Sequence, residues 1–137
     1  MKSFKLKLIA PDGVKYEGEV CEVSLPTPDG QISILPDHMP LISLLAPGEI
    51  VLKTSGKEHF LATEGGVVEI SNNLVKILAD SAESAESLDQ VKINEARKKA
   101  EQSLASAKTE IEFADATAML EKQLAKIRVL KKRKKYR

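Results

Sequence analysis

The feature that most restricts this sequence is where its glycines and prolines fall. All seven Gly and all six Pro lie at or before Gly66 in a chain of 137 residues. Gly supplies positive φ, and Pro fixes φ near about −65° while removing a backbone donor, so residues so placed punctuate a chain that turns often. Beyond Gly66 neither occurs, and most of the Ala follow Ala82. The front is turn-rich and the back is made of helix formers.

Within the front, Phe4, Leu6 and Leu8 alternate with Lys5 and Lys7, the period of a strand with one buried face. Short β-type runs follow at Val14 to Tyr16, Val20 to Leu25, Ile32 to Leu35, Leu41 to Ala46, Ile50 to Lys53, Phe60 to Thr63, Val67 to Ile70 and Leu74 to Ala79. Asp12-Gly13, Pro28-Asp29-Gly30, Pro47-Gly48, Ser55-Gly56, Gly65-Gly66 and Asn72-Asn73 separate them. Even spacing of this kind predicts an all-β sandwich or barrel of about nine strands. Ser81 to Ser87 reads as a polar connector, which divides the chain into a β domain at 1–84 and a helical region at 85–137.

In that second part, Ser87 with Gln90 forms one capping-box pattern and Thr109 with Glu112 another. The first predicts a helix that buries Ile93, Ala96, Ala100, Leu104 and Ala107. The second predicts a helix that buries Phe113, Thr117, Leu120, Leu124 and Ile127, giving an antiparallel hairpin. Its Ala-rich face allows close approach but offers little area, about 0.8 kcal/mol per methyl. Short helices are marginal alone in water, so the hairpin reads as detachable and as a candidate switch.

Charge divides at the same place. Residues 1–84 carry 7 Lys and 12 acids, whereas residues 85–137 carry 14 Lys or Arg and 8 acids. An electrostatic partner therefore belongs to the back of the chain. Cys21 is the only cysteine, so no intramolecular disulfide forms. Lys2, Lys5 and Lys7 interrupt the N-terminus, and no run approaches the ~20 apolar residues of a spanning helix, so membrane association is expected to come through partners.

No set of residues converges on a reaction. One Cys with His38 and His59 gives no metal-ligand spacing, and Cys21 reads as a small sheet residue. Gly65-Gly66 lacks the Lys-Ser/Thr of a phosphate loop and reads as a turn. The Pro36 to Pro40 loop, which holds His38 and Met39, admits two readings: a rigid connection whose Met tucks into the core, or a stiff protein interface. The tail from Lys131 to Arg137 suits an acidic surface or nucleic acid, and it also suits a solvated helix end. One alternative is thus a stand-alone β-domain adaptor with a nucleic-acid-binding helical tail.

The order of motifs is more specific. Ser24 to Leu41, containing Asp29-Gly30-Gln31-Ile32-Ser33-Ile34-Leu35-Pro36-Asp37-His38-Met39-Pro40-Leu41, resembles the signature stretch of epsilon subunits of F-type ATP synthases. Glu64 to Ile70 and Leu78 to Glu83 resemble two later segments of that family. The resemblance implies a sandwich of about ten strands followed by a two-helix hairpin. It also implies a non-catalytic rotor subunit of the proton-translocating enzyme, without cofactor or metal, joining the gamma subunit to the ring of c subunits. Its hairpin would restrain hydrolysis by extending into the alpha/beta catalytic hexamer, with no nucleic acid among its partners.

Carried over by position, the resemblance places Gln31 at the c ring and His38, Met39 and Ser43 toward gamma. It places Lys122, Lys126, Arg128 and Lys131 on the helical face that meets an acidic segment of beta. Some members bind ATP through an I/L-D-x-x-R-A motif. Here Asp89 is retained, but Lys92 and Ile93 stand in place of Arg and Ala, and Lys cannot make the planar bidentate contact of a guanidinium. Weak or absent ATP binding is the expectation. With no transit-peptide pattern, the expected location is peripheral, on the cytoplasmic side of a bacterial inner membrane.

Overall fold

The computed structural model describes residues 2–84, 88 and 90–135, with side chains through Lys132. Ten strands form two sheets, and two helices follow. Sheet 1 has the order β2 (Gly13–Val20), β1 (Phe4–Ala10), β9 (Leu74–Ala79), β8 (Gly66–Ser71) and β5 (Leu41–Leu45). Sheet 2 has the order β10 (Ala82–Ser84), β7 (Lys57–Thr63), β6 (Gly48–Thr54), β3 (Glu22–Thr27) and β4 (Gly30–Ile34). The helices are α1 (Gln90–Ala105) and α2 (Glu110–Lys135). All pairings are antiparallel except β1 with β9, the join that brings the first strand beside the last strand of its sheet.

The predicted alternation is realised in β1 and β9, where every second residue is buried. Leu6, Leu8, Val68 and Ile77 from sheet 1 share one core with Val23, Leu25, Ile34, Ile50 and Leu52 from sheet 2. The structure differs from the sequence expectation in three places. The run expected from Val20 to Leu25 breaks at Cys21, whose N–H bonds the Lys53 carbonyl at 2.7 Å as the chain passes from sheet 1 to sheet 2. The connector expected from Ser81 contains β10, because Ala82 is small enough to seat in the core while its neighbours pair with β7.

The third difference lies in α2. Of the five residues expected to be buried, Phe113 and Leu124 are exposed, and burial falls on Ala116, Ala125, Val129 and Leu130. A single stripe serves one neighbour, but α2 packs on α1 and also on β6 and β7, so its buried surface is wider and displaced. Ala100, Ala116 and Ala125 are all fully buried, and their small side chains let the backbones come close. α1 follows expectation in part: Ile93 and Ala100 are buried, Ala96 and Leu104 are half-buried, and Ala107 lies beyond the end of the helix at Ala105. The Thr109 box also forms: its hydroxyl accepts the Glu112 N–H at 3.1 Å, while the Glu112 carboxylate accepts the Lys108 N–H at 2.8 Å. Ser87 lies outside the described residues.

Gly65 and Gly66 form a tight join, with Asp80 N–H bonded to the Gly65 carbonyl at 2.8 Å. Gly66 has φ of 148°, and a Cβ there would sit 2.2 Å from the Leu78 carbonyl oxygen. Since the obstacle is backbone, neither partner can swing away. Gly66→Ala is expected to lower unfolding stability by about 2–3 kcal/mol, read as a reduced denaturation midpoint with unchanged slope.

Candidate interaction surfaces

The Pro36 to Pro40 loop is held by Asn73, with Lys2 Nζ also 3.4 Å from the Asp37 carboxylate. Asp37 adopts φ of 64°, and its N–H donates to Asn73 Oδ1 at 2.8 Å. Asn73 Nδ2 in turn donates to the Ser3 carbonyl at 3.1 Å, and the Asn73 carbonyl accepts the Lys5 N–H at 3.3 Å. His38 Nδ1 donates to the Met39 carbonyl at 2.7 Å, which fixes the ring against its own loop. Met39 is 78% exposed, so it does not tuck into the core. Its thioether is presented to solvent from a pinned loop. Asn73 carried no signal in the sequence beyond its place in a turn pair.

Toward the opposite end of its strands from this loop, the outer face of sheet 1 carries an apolar row running the full width of the sheet. Register pairs Val14 with Ile9, Ile9 with Leu78, Leu78 with Val67 and Val67 with Leu44, one residue from each strand. Val14, Leu78 and Leu44 are 53%, 50% and 63% exposed. Ile42, two residues along β5, is 74% exposed. Ser43 points the opposite way, on the face shared with Leu41 and Leu45, and its hydroxyl donates to the Leu44 carbonyl at 3.1 Å. The row consists of residues that the sequence expectation did not include, and it lies at the far end of β5 from His38 and Met39.

The outer face of sheet 2 is different in kind. Gln31, on edge strand β4, donates through Nε2 to Ser24 Oγ at 2.8 Å and to the Glu49 carbonyl at 3.2 Å. Across β10, β7 and β6, register aligns Glu83 with Ala62 and Ala62 with Glu49. α2 lies on this row. Lys126 Nζ stands 3.7 Å from Glu64 and 3.6 Å from Glu83, and its side chain is only 14% exposed. Lys132 is hydrogen-bonded to Glu49 and lies 4.9 Å from the centre of the Phe60 ring. Of the four basic residues expected on one partner-binding face, Lys126 is thus committed to the sandwich, Lys122 is half-buried, and Arg128 and Lys131 are exposed.

A cleft of about 720 Å³ remains between α2 and sheet 2, lined by Glu22, Lys53, Glu58 and Arg128 among others. Lys53 pairs with Glu22 at 3.1 Å, and this hydrogen bond lifts the Lys53 pKa above its ordinary value. Lys92 lies exposed on the first turn of α1, and Asp89 lies outside the described residues. Among the described residues no group of three or more potential ligands could hold a metal ion, and no helix is long and apolar enough to cross a membrane.

Residues 3–85 match the model of the beta-sandwich domain of the ATP synthase delta/epsilon chain. An ATP synthase epsilon chain from Nitratidesulfovibrio vulgaris (strain DP4) is 39% identical over 128 residues, spanning 93% of this chain and 96% of that relative. The chain belongs to the ATP synthase epsilon family. A second family member, from Psychrobacter arcticus, is 37% identical and spans 98% of each chain. The fold likewise aligns with a chain of the Euglena gracilis mitochondrial ATP synthase OSCP/F1/c-ring structure. That alignment has a TM-score of 0.82 at 21% identity and covers 93% of this chain and 81% of the other. The epsilon-type signature from Ser24 to Leu41 therefore contains the loop that Asn73 pins.

Asn73→Gly suits the left-handed φ of 59° at that position, removes both side-chain bonds under the loop and leaves the sheet register in place. Amide exchange at Asp37 is expected to speed up by roughly tenfold or more, as an opening that costs about 1–2 kcal/mol less would give.

Proposed function

We propose that this epsilon chain is a non-catalytic rotor subunit. Its sheet 1 face seats on gamma, its β4 end meets the c ring, and its hairpin restrains ATP hydrolysis. The observation that carries the reading is the uncovered apolar row from Val14 to Leu44 on sheet 1, set against a sheet 2 face already covered by α2. An apolar strip of this width on a small domain marks a protein interface. The loop of His38, which the family resemblance assigns to gamma, lies at the other end of β5 from Leu44. The Euglena and Tetrahymena thermophila structures that share the fold are an OSCP/F1/c-ring assembly and a central stalk/c-ring assembly.

In this reading Gln31 contributes to the c-ring contact from an edge strand. Ser43 acts by shaping β5, while Ile42 and Leu44 supply the contact area. The sandwich of residues 1–84 is a folding unit in its own right, and residues 85–137 are the regulatory part. Lys122, Lys126, Arg128 and Lys131 meet acids of the catalytic hexamer when the hairpin leaves the sandwich. ATP binding is weak or absent, because Lys92 offers a point charge where the family motif has a planar fork. The protein sits peripherally on the cytoplasmic side of a bacterial inner membrane, held by these partners.

Leu44→Asp with Leu78→Asp is expected to weaken binding to gamma by at least about a hundredfold, since a central apolar anchor is commonly worth 2 kcal/mol or more. Both side chains are solvent-facing, so the thermal unfolding of the free chain should stay nearly unchanged. Equal affinity in a pull-down titration against gamma would refute the interface. Deleting the residues after Ser87 is expected to leave that binding intact and to raise hydrolysis in the reconstituted enzyme. An unchanged hydrolysis rate would remove the regulatory role.

A further inference from the structure

Three residues of α2 match three positions of sheet 2 in both spacing and chemistry. Lys126, Val129 and Lys132 recur every third residue, so each is displaced about 60° around the helix from the last, with Val129 between the two cations. Val129 is completely buried in a cluster with Ala62, Leu88, Ile93 and Leu130. Beneath them runs the acid–apolar–acid row Glu83, Ala62 and Glu49. Six helical residues rise about 9 Å, and two strand spacings span about 9.5 Å. The helix step and the sheet step coincide, which lets both lysines reach their acids while Val129 stays seated.

We propose that this register is the latch that holds the hairpin down, with Glu49 holding Lys132, and that Glu64 and Glu83 compete internally for Lys126, one of the four cations assigned to inhibition. The apolar seam is small, so partly shielded ion pairs weigh heavily in the docking balance. Lys126 has two carboxylates within 4 Å at low exposure, and Lys132 adds its contact with Phe60. A lysine occupied by the sandwich is not available to an acidic partner. Neutralising the acids frees Lys126 to inhibit, whereas neutralising the lysines frees the hairpin without it, so the first should inhibit more strongly than the second. This last consequence rests on the inhibitory role proposed above; the latch itself does not.

The test uses the full-length chain with spin labels at Glu17→Cys and Lys108→Cys in a Cys21→Ser background, so that distance distributions report docking. Glu49→Gln/Glu64→Gln/Glu83→Gln is expected to raise the undocked-to-docked ratio on the order of tenfold at low salt, and added salt should shrink that difference. Lys126→Gln/Lys132→Gln should do the same without touching the sandwich sequence, which guards against a folding defect in the acid variant. All five changes together should add little to either set, because the pairs are already gone. The reversed pair Lys132→Glu/Glu49→Lys should restore docking relative to Lys132→Glu alone.

If both neutralised chains kept the parent distances while Val129→Asn undocked, the apolar seam alone would hold the hairpin and the latch would be overturned. In the reconstituted enzyme the acid variant should hydrolyse ATP more slowly than the parent, and the lysine variant, equally undocked but lacking Lys126, faster than the acid variant. Undocking without either change would leave the latch standing and overturn the inhibitory reading.

Discussion

Packing sheet 1 on sheet 2 buries Leu6, Leu8, Ile50, Leu52 and Ile77 and sends every alternate residue of those strands outward. Strand pleating allows no other arrangement, so the core that stabilises the domain also fixes which residues form its two outer faces. One outer face carries a strip of Val, Ile and Leu. The other carries acids around Ala62 and Val51. The difference between those faces governs what each can hold: an apolar strip needs a large complementary surface, whereas an acid-lined row can be covered by a single basic helix.

The two modules also differ in how firmly they are held. In the sandwich the fully buried large side chains number a dozen, each worth roughly 1.5–3 kcal/mol on burial. Where the hairpin meets the sheet, buried large side chains are limited among the described residues to Leu88, Ile93, Val129 and Leu130. Conformational entropy opposes both, but it consumes a larger share of the smaller term. Opening therefore occurs first at the hairpin, while the strip on sheet 1 keeps its geometry. A subunit built this way can change its helices without loosening its seat.

Much of this was legible because it repeats in sequence. Period-two alternation located the strands, and Gly and Pro located the turns. Thr109 with Glu112 marked the start of α2 to within a residue. What escaped was set by contacts between distant segments. The buried face of α2 depends on β6 and β7 as well as α1, so a stripe counted along the helix chose Phe113 and Leu124 where the structure buries Val129 and Leu130. β10 exists because Thr63, Ala62 and Leu61 are there to pair with it. The width of the sheet 1 strip depends on register, which a bulge between Leu8 and Ile9 shifts, and the hold of Asn73 on Asp37 spans 36 residues. Met39 shows the converse case. Its chemistry suited core and interface equally, and only the fold could decide between them.

Placing charge at the hairpin–sheet contact has a physical consequence that more apolar area would not have. Each added buried leucine would deepen docking without changing its response to surroundings, and a firmly docked hairpin could not act on anything else. Lys–Glu pairs at a half-exposed seam contribute modestly, weaken with salt, and can be exchanged one for one with any other acidic surface at similar distance. In the proposed switch the lysines exchange their sandwich partners for new ones at nearly equal cost, so a small bias from a partner would suffice to move the equilibrium. The requirement is that the docked pairs be good enough to compete and not so buried that breaking them strands a charge. Lys126 at 14% exposure and Lys132 at 38% bracket that range, with the inner pair giving register and the outer one giving reversibility.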